Sequence, residues 1–183
     1  MLDARIGMGP AARMEAPIAH VVDETRTEVL DLMGPVVQFL TPPDEEAPCV
    51  MRGTIPPGAW VPLHSHPDSE TFAMLSGEVE GLAYSGDRFE WVRINPGDVF
   101  HVPGDTEHAF RNRGTEPAVL ILINTMIGRF FREIGARPAP RGAASPASSE
   151  ERMRHFFETA ERYGHRNASP EENARVGLPA KIA

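Results

Sequence analysis

Between Thr27 and Asn124 the chain never sustains an apolar run longer than a strand. TEVLDLM, VVQFL, CVMRGTI, TFAMLS, EVEGLAY, FEWVRI, VFHV, HAFR and AVLILIN are separated by segments such as TPPDEE, PPG, NPGD and NRGTEP. Proline presets φ, and Gly, Asn and Asp tolerate positive φ, so each of these segments reads as a turn. Strands this closely spaced leave no room for crossover helices. An all-β sandwich or barrel follows rather than a set of βαβ units. AVLILIN is apolar on both faces, so both need cover from a second sheet, a helix or a partner subunit, and a homodimer is expected.

Composition narrows the class further. A chain of 183 residues predicts one domain with a core of its own, and 18 prolines with 16 glycines agree with frequent turns. The net charge of −8, with no run of Lys and Arg, argues against a nucleic-acid partner, because binding a phosphate backbone needs a basic surface. Cys49 is the only cysteine, which rules out an intrachain disulfide and predicts a buried small hydrophobe. The opening residues MLDARIGMGPAARMEAP lack the apolar centre of a secretory signal, and no stretch is long enough to span a bilayer. A cytoplasmic protein without a membrane partner is the expectation.

Three segments are expected: a flexible arm over 1–17, the β-rich unit over 18–126, and a C-terminal linker with helices over 127–183. MIGRFFREIG predicts a short helix, and RPAPRGAASPASS a linker. In SSEERMRHFFETAERYG, Ser148 and Glu151 suggest a capping box, and Met153, Phe156, Phe157 and Ala160 share one side at helical spacing before Gly164. This amphipathic helix is expected to pack on the β-unit or on a partner. A last short turn is expected at Ser169-Pro170.

The chemistry concentrates in GAWVPLHSHPDSE, residues 58–70. In a strand, residues two apart point the same way, so His64 and His66 can present both imidazoles to one point on the inner face. An HxH pair alone is weak evidence for a metal. Pro67-Asp68-Ser69 turns the chain so that Glu70 can aim back at the same point, with Phe72 and Met74 on its face as an apolar wall. In GDVFHVPGDTEHAFRN, residues 97–112, a tight turn at Pro103-Gly104-Asp105 leads to His108, with Phe110 and Asn112 on its face. A third imidazole is thereby available.

Gly58, His64-x-His66, Glu70 and Gly77 resemble the first cupin motif at every spacing, and Gly97, Pro103, His108 and Asn112 resemble the second, with nineteen residues between them. One position departs: the usual glycine two after the proline is Asp105, with Gly104 one earlier. The resemblance covers roughly 30–125 and implies a cupin jelly-roll β-barrel, a double-stranded β-helix, with a C-terminal helical tail. It implies His64, His66, Glu70 and His108 as ligands of a divalent transition metal, Fe, Mn, Ni or Zn, which ligand type alone does not choose between. MGPVVQFLTPP before the first motif and GRFFREIG after the last strand are similar to small bacterial monocupins described as quercetin 2,3-dioxygenase-like.

Three imidazoles and one carboxylate leave octahedral positions open for a small-molecule substrate and for dioxygen, which is dioxygenase logic on a small hydroxylated aromatic or enolisable compound. A non-redox lyase, isomerase or cyclase, or a non-catalytic binding module, would use the same fold. Glu70 is the candidate catalytic base, with His101 and Glu107 nearby in sequence. Phe72, Met74, Phe110, His101 and Trp60 are the candidate pocket residues, while Trp91 is expected to pack. His20, His155 and His165 are expected at the surface.

Overall fold

The computed structural model describes residues 19–43, 48–85, 88–138 and 149–179. The expected arm over 1–17, most of the linker and Ser148 of the expected capping box lie outside them. A short 3-10 turn, Glu24–Arg26, leads into ten strands: β1 Val29–Asp31, β2 Val36–Phe39, β3 Cys49–Ile55, β4 Trp60–Ser65, β5 Glu70–Ser76, β6 Val79–Ser85, β7 Arg88–Ile94, β8 Val99–Val102, β9 His108–Arg111 and β10 Ala118–Asn124. Helices α1, Ile127–Ile134, and α2, Ser149–Arg162, follow, then β11, Arg166–Asn167, and α3, Pro170–Arg175.

Two antiparallel sheets result, one ordered β1-β2-β3-β10-β5-β8 and the other β11-β4-β9-β6-β7. The arrangement fits a jelly roll, although strand pairing does not run from one sheet into the other. β10 sits between β3 and β5. Its alternation puts Ala118, Leu120, Leu122 and Asn124 into the core and Val119, Ile121 and Ile123 on the outer face. Leu120, Met51, Met74 and Phe72 meet Phe110 of the opposite sheet in one core, where the Phe72 and Phe110 rings lie 4.6 Å apart. Each such ring stabilises the fold by about 2 kcal/mol on burial.

Two glycines permit close approaches that hold the strands in place. Gly77 has φ +74, and a Cβ there would lie 2.3 Å from the Pro117 carbonyl oxygen. At Gly104 a Cβ would lie 2.2 Å from the Pro67 oxygen, so the turn before β9 rests directly on the turn after His66. Asp105 takes a left-handed φ of +61, the conformation a glycine would supply, and its N–H donates to the His66 oxygen at 2.7 Å. The departure from the motif therefore leaves the turn intact. Asn112 is structural: its amide donates to Ile55 and Glu116 oxygens and accepts from Gly114 N.

The tail docks on its own β-unit. α1 buries Ile127, Phe130 and Ile134 against the core, and α2 packs Phe156 on Phe130 with ring centroids 5.8 Å apart. Phe157 is exposed, contrary to the expected stripe, because neighbours on a helix diverge by about 100° and only one of the pair can face inward. β11 adds a strand to β4, pairing Asn167 with His64 and Arg166 with Ser65. α3 begins at Ser169 with a capping box to Glu172, where only a turn was expected. Buried Asn173 accepts from Leu63 N at 2.9 Å, and Trp91 donates to the Val176 oxygen at 2.8 Å. No helix among the described residues is long and apolar enough to cross a membrane.

Candidate metal centre

β4 and β9 run side by side and pair His64 with His108, so their rings lie 4.2 Å apart. His66 follows the end of β4, with its ring 5.6 Å from His64 and 5.1 Å from His108. One nitrogen from each of the three rings falls within 4.8 Å of the others. Glu70 opens β5 in the opposite sheet, and its Oε2 lies 3.3 Å from His66 Nε2 and 3.4 Å from His108 Nε2.

Asp68 fixes the turn that brings Glu70 back. Its carboxylate accepts from the backbone N–H groups of Thr125, Met126 and Ile127 and pairs with the Thr125 hydroxyl. The same residue thus anchors the ligand-bearing turn and supplies an anion at the start of α1.

Ring orientation follows from backbone acceptors. His64 Nδ1 lies 2.7 Å from the Pro62 oxygen and His108 Nδ1 2.8 Å from the Thr106 oxygen. A carbonyl only accepts, so both Nδ1 atoms carry a proton, and Nε2 is the atom that each neutral ring would offer to a metal. His66, Glu70 and His108 are 2%, 3% and 1% exposed. His66 Nε2, His108 Nε2 and Glu70 Oε1 are buried without a hydrogen-bond partner. Lone pairs and a carboxylate facing one another without donors are costly, and a proton on His66 satisfies only one of the contacts. A divalent cation satisfies all of them, so the residues fit the metal that the donor set implies.

Electrostatics follow the same geometry. Burial alone would raise the Glu70 pKa, but contacts with His108 and His66 outweigh it and hold the carboxyl down at about 2. Burial opposes charge on His66, yet the Glu70 carboxylate outweighs it and raises that pKa. His64 is pushed well below its ordinary value by burial and then by His108 and His66.

The cluster opens into a cavity of about 150 Å³. Trp60, Phe72 and Phe110 line it, as do Leu122 and Phe130. Three expectations need correction. Met74 shares the inward face with Glu70 and Phe72 but is buried further along β5, in the core rather than on the cavity wall. His101 is exposed on the outer face of its sheet, bonded at 3.0 Å to Thr71 Oγ1, because β8 pairs Val102 rather than His101 with Glu70. His165 is half-buried rather than free at the surface: it lines the cavity, with its ring 5.0 Å from His66 and 4.1 Å from Phe130. Burial, then His66, lowers its pKa to about 4.

The remaining candidates lie apart from the centre. Glu107 pairs with Arg166 beside β11. His155 is exposed, with Nε2 3.0 Å from the Glu133 oxygen, and His20 is exposed as well.

Residues 51–124 match the family model described as the cupin domain, a span that holds all four converging side chains. No curated protein matches the chain. Among solved structures it is similar to the cupin domain of an XRE family transcriptional regulator from Enterobacter cloacae, with 27% identity over 50% of this chain and 95% of that one and a TM-score of 0.43. It is also similar to an RmlC-like cupin from Shewanella frigidimarina, with 21% identity, 59% and 91% coverage and a TM-score of 0.49. Oxalate decarboxylase from Bacillus subtilis shares 24% identity over 56% of this chain at a TM-score of 0.48, and the chain spans only 28% of it. These are distant likenesses, all at TM-scores below 0.5.

Proposed function

Taking residues 51–124 as a cupin domain, we propose that the chain is a metal-dependent oxidoreductase of the dioxygenase kind, acting on a small hydroxylated aromatic or enolisable compound. The observation that carries this is the meeting of three imidazoles and Glu70 at the wall of an apolar cavity. A bound divalent transition metal, Fe, Mn, Ni or Zn, supplies Lewis acidity there and, if redox-active, a place for dioxygen beside the substrate.

His64 and His108 hold their lone pairs towards the centre through the Pro62 and Thr106 carbonyls. Glu70 supplies the negative charge and can accept a substrate proton. Phe72, Phe110 and Phe130 exclude water and give a flat ring an apolar wall. No Lys or Arg lines the cavity among the described residues, so a bound metal would be the one positive charge facing a substrate oxyanion there. A cavity of about this volume holds a molecule of benzene size. Size favours a one-ring or short enolisable substrate over a three-ring flavonol, even though the flanking segments resemble quercetin 2,3-dioxygenase-like monocupins.

Fe(II)-, Mn(II)-, Ni(II)- and Zn(II)-loaded protein mixed anaerobically with catechols and 1,3-diketones should consume oxygen when air is admitted. Turnover that proceeds equally without oxygen, or with Zn(II), identifies a lyase, isomerase or cyclase using Lewis acidity instead. Binding without turnover for any metal leaves a small-molecule-binding module. His66→Ala should lose metal and activity together, and full metal content in that variant by elemental analysis contradicts the ligand set.

A further inference from the structure

His165 reaches the cavity from outside the sequence motifs. Gly164, at φ +72, ends the helical segment, and the His165 N–H donates to the Ala160 oxygen at 2.9 Å. The chain therefore doubles back over the end of α2, and the next two residues form β11 against His64 and Ser65. Pairing on one side and Phe130 on the other fix the ring over the cavity. No described residue hydrogen-bonds to either ring nitrogen, although Asn167, Thr54, Glu70 and His64 also line the space. A neutral imidazole offers one donor and one acceptor, and no other side chain of the tail that lines the cavity, apart from Asn167, can do either.

We propose that His165 is a substrate-binding residue, which hydrogen-bonds an oxygen of the small aromatic or enolic substrate and orients it relative to the imidazole cluster. The C-terminal tail thereby completes the site that the motif residues begin. This assignment rests on the metal centre proposed above, and the test separates the two.

Co(II) serves as the optical probe of the centre and catechol as the probe of the cavity, measured anaerobically on the full chain. His165→Phe keeps the flat ring against Phe130 and removes the hydrogen bond, whereas His165→Gln keeps a donor and acceptor and loses the ring. All three proteins should bind Co(II) with the same visible spectrum. The dissociation constant for catechol should rise about tenfold in His165→Phe and stay within about threefold of wild type in His165→Gln. A packing role gives the opposite order. Catechol affinity unchanged in His165→Phe, or lowered as far in His165→Gln, overturns the assignment. Should a variant fail to fold, the ¹⁵N resonances of His165 in the Zn(II)-loaded wild type give the same answer: they move when catechol is added, and resonances that stay put overturn the proposal. Wild type that fails to bind Co(II) contradicts the metal centre itself, whatever His165 does.

Discussion

At the scale of single residues, tautomers and charges decide what the centre can do. Two backbone carbonyls take the Nδ1 protons of His64 and His108, which leaves the Nε2 atoms of these rings to serve the centre beside the Glu70 carboxylate. His165 adds a consequence for pH. Its value in the folded protein is about 4 against an ordinary 6.5, so the folded state binds fewer protons than the unfolded chain between those values. The stability that comes with the neutral ring is complete above pH 6.5 and is lost as pH falls towards 4. Thermal melts of metal-stripped protein should therefore show wild type losing more Tm than His165→Phe between those two pH values. Parallel curves would mean that the ring is as well solvated as in the unfolded chain.

At the scale of elements, the site depends on turns that hold strands of opposite sheets together. Asp68 is the clearest case, since its carboxylate serves three N–H groups at the start of α1 while sitting between His66 and Glu70. Asp68→Ala should cost about 1–2 kcal/mol in chemical denaturation and weaken metal binding, because Glu70 loses its fixed approach. Unchanged metal affinity would show that β5 alone positions the carboxylate.

The strands were legible because alternation and turn chemistry are local. The convergence of His64, His66, Glu70 and His108 was legible because two spaced motifs carry it. Register was not legible: whether His101 or Val102 faces inward depends on which of them β5 sets opposite Glu70. Met74 shows a related limit, since a period of two gives the face but not the depth along the strand. His165 and Asp68 act through contacts about 100 and 57 residues away, and neither leaves a local pattern. The one available signal was a histidine directly after the helix-stopping Gly164.

At the scale of the whole molecule, the outer face of the six-stranded sheet carries an apolar strip across β10, β5 and β8, bordered by Arg52, Thr71 and His101. Ile121, Ala73 and Val99 stand in one cross-strand row, next to Ile123 and Leu75. Val99 is 65% exposed and Leu75 48%. We propose that a second copy of the chain covers this face, as the two-sided character of AVLILIN suggests. A stable interface of about 800 Å² per partner needs such a patch at its centre. Light scattering should give a dimer for the full chain and a monomer for Val99→Lys combined with Ile123→Lys. A monomeric wild type removes the proposal.

The central claim is that side chains from both sheets bind a single cation beside an apolar cavity. Anomalous diffraction at the absorption edge of the bound metal tests this most directly. The account predicts one peak within bonding distance of His64, His66, Glu70 and His108 together. A peak elsewhere on the chain, or none there in metal-loaded crystals, contradicts it.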